Sequence, residues 1–185
     1  MSNVLILYAT TEGQTAKISN HLADTIRAKG FTVELVDVKN LPFNFSLEKY
    51  QAAILGGSIH NAKHQAYLVS FIKSNLATLR KRQSAFFSVS VSAASFNAKN
   101  RGLADQYVAK FWQETGWRPD KVTLFGGALQ YSKYNLLTKF LLQRMTKRSL
   151  GPTVTWRDYE FTDWEAVTRF AEEFLVSLPT SATKS

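Results

Sequence analysis

Residues 4–15 read V-L-I-L-Y-A-T-T-E-G-Q-T. A short apolar run stops at a turn rich in hydroxyls with one glycine, and a helical pattern follows from residue 14 to residue 29, closed by Gly30. This is a buried strand, a turn and a helix start. Free amides at a helix N-terminus, together with the helix dipole, favour an anion such as a phosphate monoester. Thr10, Thr11 and Thr15 add hydroxyls, and Gly13 lets the backbone come close to a ligand. The turn holds no Lys or Arg and fits neither G-x-G-x-x-G nor G-x-x-x-x-G-K-[ST], which argues against a dinucleotide or P-loop nucleotide.

Working outward, strands and helices alternate. Apolar runs at 32–38, 51–56, 84–91 and 121–129 are read as strands, and 64–80, 102–115 and 163–178 as helices. Tyr67, Leu68, Phe71, Ile72, Leu76 and Leu79 mark the apolar side of the 64–80 helix, Gly116 stops the next one, and Thr162-Asp163-Trp164-Glu165 has the form of a capping box. The alternation predicts an α/β fold: a doubly wound, five-stranded parallel sheet of order 2-1-3-4-5, flavodoxin-like, covered by helices on both faces. The 185 residues suit one domain, placed at 1–178, with a loose polar tail at 179–185. The segment 130–155 does not fit the alternation and looks like an insertion that splits strand 5, which 156–161 (W-R-D-Y-E-F) would resume.

In such a sheet the turns after strands 3 and 4 lie beside the turn after strand 1. They contain Ser58, Ile59, His60 and Asn61, preceded by Gly56 and Gly57, and Ser88, Val89, Ser90, Val91, Ser92 and Ala93. Small side chains, hydroxyls and accessible backbone form a slot suited to a flavin ring, so the three turns together read as a mononucleotide site. No acid–base dyad stands out; His60 is the best-placed titratable group. The three histidines show no metal-ligand spacing, and no metal is expected. The absence of cysteine removes disulfides, thiolate metal sites and cysteine nucleophiles.

The net charge is +9, and most of it is local. Between Asp120 and Asp158 there is no acidic residue, while Lys121, Lys133, Lys139, Arg144, Lys147, Arg148 and Arg157 carry +7. An anionic partner is expected to face this segment. Its bases flank Leu136, Leu137, Phe140, Leu141 and Met145, which suits an interfacial segment or a packed helix with basic ends and argues against nucleic acid. No apolar run reaches the length of a membrane span and no signal segment is evident, so a cytoplasmic location is expected.

The chain resembles the menaquinone-dependent protoporphyrinogen IX dehydrogenase family of gamma-proteobacteria. The likeness covers nearly the whole chain and is carried by T-T-E-G-Q-T at 10–15, G-G-S-I at 56–59, W-R-P-D at 117–120, G-A-L-Q-Y at 127–131, T-D-W-E at 162–165 and the basic insertion. The resemblance implies FMN as cofactor, protoporphyrinogen IX as substrate in heme synthesis, and menaquinone or ubiquinone as electron acceptor. By position, Thr10, Thr11, Glu12, Gly13, Gln14 and Thr15 would hold the phosphate, and Ser58 to Asn61 and Ser88 to Ala93 the ring. Where the family often has Arg followed by an aromatic, this chain has His60-Asn61. Lys133, Lys139, Phe140, Arg144, Lys147 and Arg148 are the candidates for substrate or for an anionic membrane surface, with the protein peripheral on the cytoplasmic side of the inner membrane. A soluble flavodoxin-type carrier and an NAD(P)H-quinone reductase remain the competing readings; the basic balance disfavours the carrier.

Overall fold

The computed structural model describes residues 3–133, Gln143 and 154–178. β1 (Asn3–Ala9) is the centre of the construction. Val4, Leu5, Ile6 and Leu7 have no exposed surface, as a strand covered on both faces requires. β1 pairs in parallel with β2 (Thr32–Asp37) on one side and β3 (Ala52–Ser58) on the other, with Val4 opposite Val33 and Ala52. β4 (Gln83–Ser90) and β5 (Lys121–Gly126) extend the sheet, giving the expected order β2-β1-β3-β4-β5.

Alternate residues of each strand feed two cores. Leu5, Leu7, Leu55 and Phe86 pack with Leu68, Phe71 and Ile72 of α2 (Ala66–Ser74) and with Val108 and Phe111 of α4 (Ala98–Thr115). Val4, Ile6, Ile54, Phe87 and Phe125 pack with Ile18, Leu22 and Ile26 of α1 (Gln14–Ala28) and with Val167, Phe170 and Phe174 of α5 (Trp164–Val176). The W-R-P-D run is part of this scaffold. Trp117 is fully buried edge-on to Phe86, and Asp120 accepts from the Ser84 amide at 2.7 Å.

Three expectations need correction. The predicted 64–80 helix is interrupted at Asn75, which separates α2 from the short α3 (Leu76–Leu79); the Asn75 side chain donates to the Phe71 carbonyl at 2.8 Å, competing with the helix ladder. The helix expected from 102 begins at Ala98, because Asn97 caps it by accepting from the Lys99 amide.

The third concerns strand 5. β5 ends at Gly126 and residues 156–161 do not resume it. Instead β6 (Ala128–Leu129) pairs antiparallel with β7 (Tyr159–Glu160) as a separate two-stranded ribbon. The cause is a close crossing: a Cβ on Gly126 would collide with the Phe161 carbonyl, and Phe161 N–H donates to the Gly127 carbonyl at 3.0 Å. Within the excursion between β6 and β7, Tyr131–Lys133 form a 3-10 turn. Lys139, Phe140, Arg144, Lys147 and Arg148 lie outside the described residues.

Candidate functional site

The carboxyl ends of β1, β3, β4 and β5 meet around one cleft. Thr10, Thr11, Glu12 and Gln14 line it from the first turn, Ser58, Ile59 and His60 from the second, Val89, Ser90 and Val91 from the third, and Gly127 and Ala128 from the end of β5. Two main-chain bonds continue the sheet past its strand ends and hold the walls together: Ile59 N–H to Val89 C=O at 2.9 Å and Gly127 N–H to Ser90 C=O at 3.0 Å.

The first turn is built to leave amides free. Gly13, at φ 99°, occupies the N-cap position of α1, and no side chain caps the helix. The amides of Gln14, Thr15 and Ala16 therefore open α1 without an intrahelical acceptor. Gly13 N–H is used inside the turn, donating to Thr10 Oγ1 at 2.9 Å. The Thr15 hydroxyl is fully buried and finds no partner among the described residues, and neither does Gln14 Oε1. Such orphans in a native fold call for a ligand or water. Among the described residues, no Lys or Arg lines the cleft. A phosphate monoester fits this donor set of amides, hydroxyls and helix dipole.

Within the protein itself, Gly13 is required for its backbone conformation. A Cβ there would meet no protein atom within 4 Å, so the requirement is its left-handed φ. Gly56 and Gly57, read as room for a ligand, are demanded by the core. A Cβ on Gly56 would run into the Phe87 ring, and one on Gly57 would come within 2.8 Å of Leu68 Cδ2.

The remaining predicted residues divide. Asn61, with Ala62, forms the tip of a tight turn in which His60 and Lys63 exchange main-chain hydrogen bonds at 2.9 and 3.1 Å; both tip residues have positive φ, 49° and 62°. His60 is exposed at the mouth of the cleft. Ser92 and Ala93 lie in the 3-10 turn after β4, where Ala93 N–H donates to Ser90 Oγ at 3.2 Å. Ser88 is not on the cleft wall. It is still inside β4, 1% exposed, and its side chain lies on the α2–α4 side, hydrogen-bonded to His64 Nε2 at 3.0 Å.

That histidine had no assigned role in the sequence. It is buried, its ring 4.4 Å from that of Phe111 and 5.4 Å from that of Phe86. Burial lowers its pKa to about 3, so it is neutral at physiological pH. It anchors the start of α2 to β4, and the next residue does the work at the site. Gln65 Nε2 donates to both Thr11 Oγ1 (3.1 Å) and Ser58 Oγ (2.6 Å), tying the first turn to the second. Tyr67 O–H adds a bond to the Thr10 carbonyl at 3.3 Å. Gln65, Tyr67, Gly127 and Ala128 were missed as site residues. Only G-A-L-Q-Y carried a signal, as a motif without a role.

A five-stranded parallel sheet with an uncapped, hydroxyl-rich turn after its first strand defines a flavodoxin-like protein. The chain belongs to the flavodoxin domain family, whose match spans residues 5–155. Among curated proteins it is similar to the protoporphyrinogen IX dehydrogenase [quinone] of Escherichia coli strain K12, 32% identical over 91% of this chain and 92% of that protein. It is also similar to the protein of the same name from Leishmania major, 34% identical over 92% of this chain and 73% of the relative. These relatives are oxidoreductases by name. Among solved structures, the oxidised flavodoxin 1 of Bacillus cereus superposes with a TM-score of 0.60 at 20% identity, covering 96% of this chain and all of that one. An NADH:FMN oxidoreductase in its apo form gives 0.58 at 12% identity, over 97% and 91% of the two chains.

Proposed function

We propose that the protein is an FMN-dependent oxidoreductase that converts protoporphyrinogen IX to protoporphyrin IX, with menaquinone or ubiquinone as electron acceptor, in heme synthesis. One observation carries the reading. A cleft whose anion site is made of amides and hydroxyls lies in a chain 32–34% identical to enzymes named for this reaction.

In this reading the FMN phosphate is held by the amides opening α1 and by Thr10, Thr11, Gln14 and Thr15, with Gly13 shaping the turn. Ser58 to Asn61 and Val89 to Ala93 flank the ring and offer main-chain donors and acceptors to its polar edge. Bound by these residues, FMN would supply the redox chemistry, the transfer of electron pairs from the substrate to quinone. The reading requires one side of the cleft to admit a wide, largely apolar substrate. His60 stands at the mouth and is the side chain placed to take a proton released from a pyrrole nitrogen. His64 cannot do so, because it is enclosed between aromatic rings and engaged with Ser88.

Lys133, Lys139, Phe140, Arg144, Lys147 and Arg148 are assigned to the substrate's propionates or to anionic headgroups, where charge-assisted contacts are strong. No helix among the described residues is long and apolar enough to cross a membrane. Peripheral attachment on the cytoplasmic side of the inner membrane is the reading that brings the enzyme to a bilayer quinone. Exposed Phe96 and Trp156 favour it. Phe96 follows β4 and Trp156 precedes β7, so both lie beyond the carboxyl ends of the strands.

The test is an anaerobic assay with purified protein, protoporphyrinogen IX and menaquinone or ubiquinone. Flavin absorbance should bleach on adding the porphyrinogen and return with quinone, and porphyrin fluorescence should rise. Fluorescence no higher than a flavin-free control refutes the reading. Turnover supported by NADPH and quinone without porphyrinogen assigns the protein to nicotinamide-dependent quinone reduction instead.

A further inference from the structure

Thr162 sits where an N-cap is expected, yet it does not cap α5. Asp163 does, accepting from the Ala166 amide at 2.9 Å. The Thr162 hydroxyl joins two other parts of the chain: it donates to the Gly126 carbonyl at 2.7 Å and accepts from Gln14 Nε2 at 2.8 Å. The direction of this relay is fixed by chemistry. A carbonyl only accepts, so the single hydroxyl proton goes to Gly126, and Thr162 Oγ1 then has only lone pairs for Gln14. The amide must present its nitrogen there. Its oxygen is thereby set on the other side, where it is buried without a partner among the described residues.

The surroundings support the same arrangement. Gln14 is 5% exposed, opens α1 and lines the cleft. Two residues before Thr162, Glu160 accepts from Lys17 Nζ at 3.1 Å, from Trp164 Nε1 at 2.8 Å and from the Gln14 side chain, which fastens the returning chain to α1 and α5. Thr162 and Glu160 thus draw the Gln14 nitrogen to the same side, and Thr162 is itself held by Gly126.

We propose that Thr162 is a positioning residue of the cofactor site: through the relay to Gly126 it locks Gln14 in one orientation and so preorganises the first turn for a phosphate monoester. The proposal rests on the FMN reading above. Thr162 is not itself on the cleft wall and acts through Gln14, so its removal should be felt at the phosphate and not at the ring.

Riboflavin, which has the ring and ribityl chain of FMN but no phosphate, separates these effects. Dissociation constants of both flavins for the flavin-stripped full-length protein can be measured by fluorescence quenching. Thr162→Val, of the same shape without the hydroxyl, should weaken FMN about tenfold, equivalent to about 1.4 kcal/mol, and change riboflavin less than twofold. Thr162→Ser should restore the FMN value. An unchanged ratio of the two constants in Thr162→Val, as a purely structural role would produce, overturns the proposal; so does a serine variant as weak as the valine. If Thr162→Val does not fold by circular dichroism, Thr162→Ala is read against the same criteria. Failure of the unaltered protein to bind FMN at all overturns the cofactor reading itself, and this proposal with it.

Discussion

Acidification should destabilise this protein through one buried ring. His64 is neutral in the fold, with a pKa lowered to about 3 by burial, against an ordinary value of 6.5. The unfolded chain therefore binds one more proton than the native one between those values, and stability rises with pH across that window. The contribution is complete above pH 6.5 and is lost progressively as the pH falls towards 3. From pH 7 to pH 5 the loss from this group alone is about 2 kcal/mol, below the limit of about 1.36 kcal/mol per unit because the slope develops only as the pH falls through 6.5. Carboxylates also titrate in acid, so the measurement must be differential. Urea unfolding of the wild type and of His64→Gln at pH 7 and pH 5 cancels the shared groups. Gln keeps a nitrogen within reach of Ser88 and does not titrate. The wild type should lose about 2 kcal/mol more than the variant over this interval. Equal losses would refute the reasoning, because they would mean that His64 reaches water or a counter-charge in the native state.

Gly13→Ala forces a side chain onto a left-handed φ of 99°, at about 1–2 kcal/mol; the flavin-free protein should lose a few degrees in Tm, and FMN affinity, measured by fluorescence quenching, should fall about tenfold. Gly56→Ala drives a methyl into the Phe87 ring and should cost about 1–3 kcal/mol by urea unfolding, even though the glycine lies beside the cleft. Reversing Lys139, Arg144, Lys147 and Arg148 to Glu should abolish sedimentation with anionic vesicles while FMN stays bound, since each base near such a surface contributes about 1 kcal/mol. Unchanged sedimentation would remove the membrane role.

Much of the site was legible because its signals are local. A strand, a turn and a helix start within residues 4–15 specify an anion-binding geometry by their own backbone, and Gly13 marks the one position with left-handed φ in that turn. The periodic apolar runs then dictate a parallel sheet, and its order brings the second and third turns to the first. Reading side-chain roles within those turns was less secure. Ser88 and Ser90 are two residues apart in one serine-rich run, yet Ser90 lines the cleft and Ser88 faces a histidine inside the molecule. Where β4 ends decides between them, and no local pattern marks that point.

By itself the sequence determined the doubly wound sheet, the location of the anion turn and the concentration of positive charge between Asp120 and Asp158. Only the tertiary structure decided why β5 stops at Gly126, what Gly56 and Gly57 are for, and which residues bind the turns to one another. Those answers depend on contacts between distant segments. Gln65 meets Thr11 across 54 residues and Gln14 meets Thr162 across 148. Hydrophobic periodicity records which face of an element is buried, but a polar side chain's partner is set by the packing of whole elements. A threonine before a helix is therefore legible as a cap, and becomes a relay only once β5, α1 and α5 have closed around it.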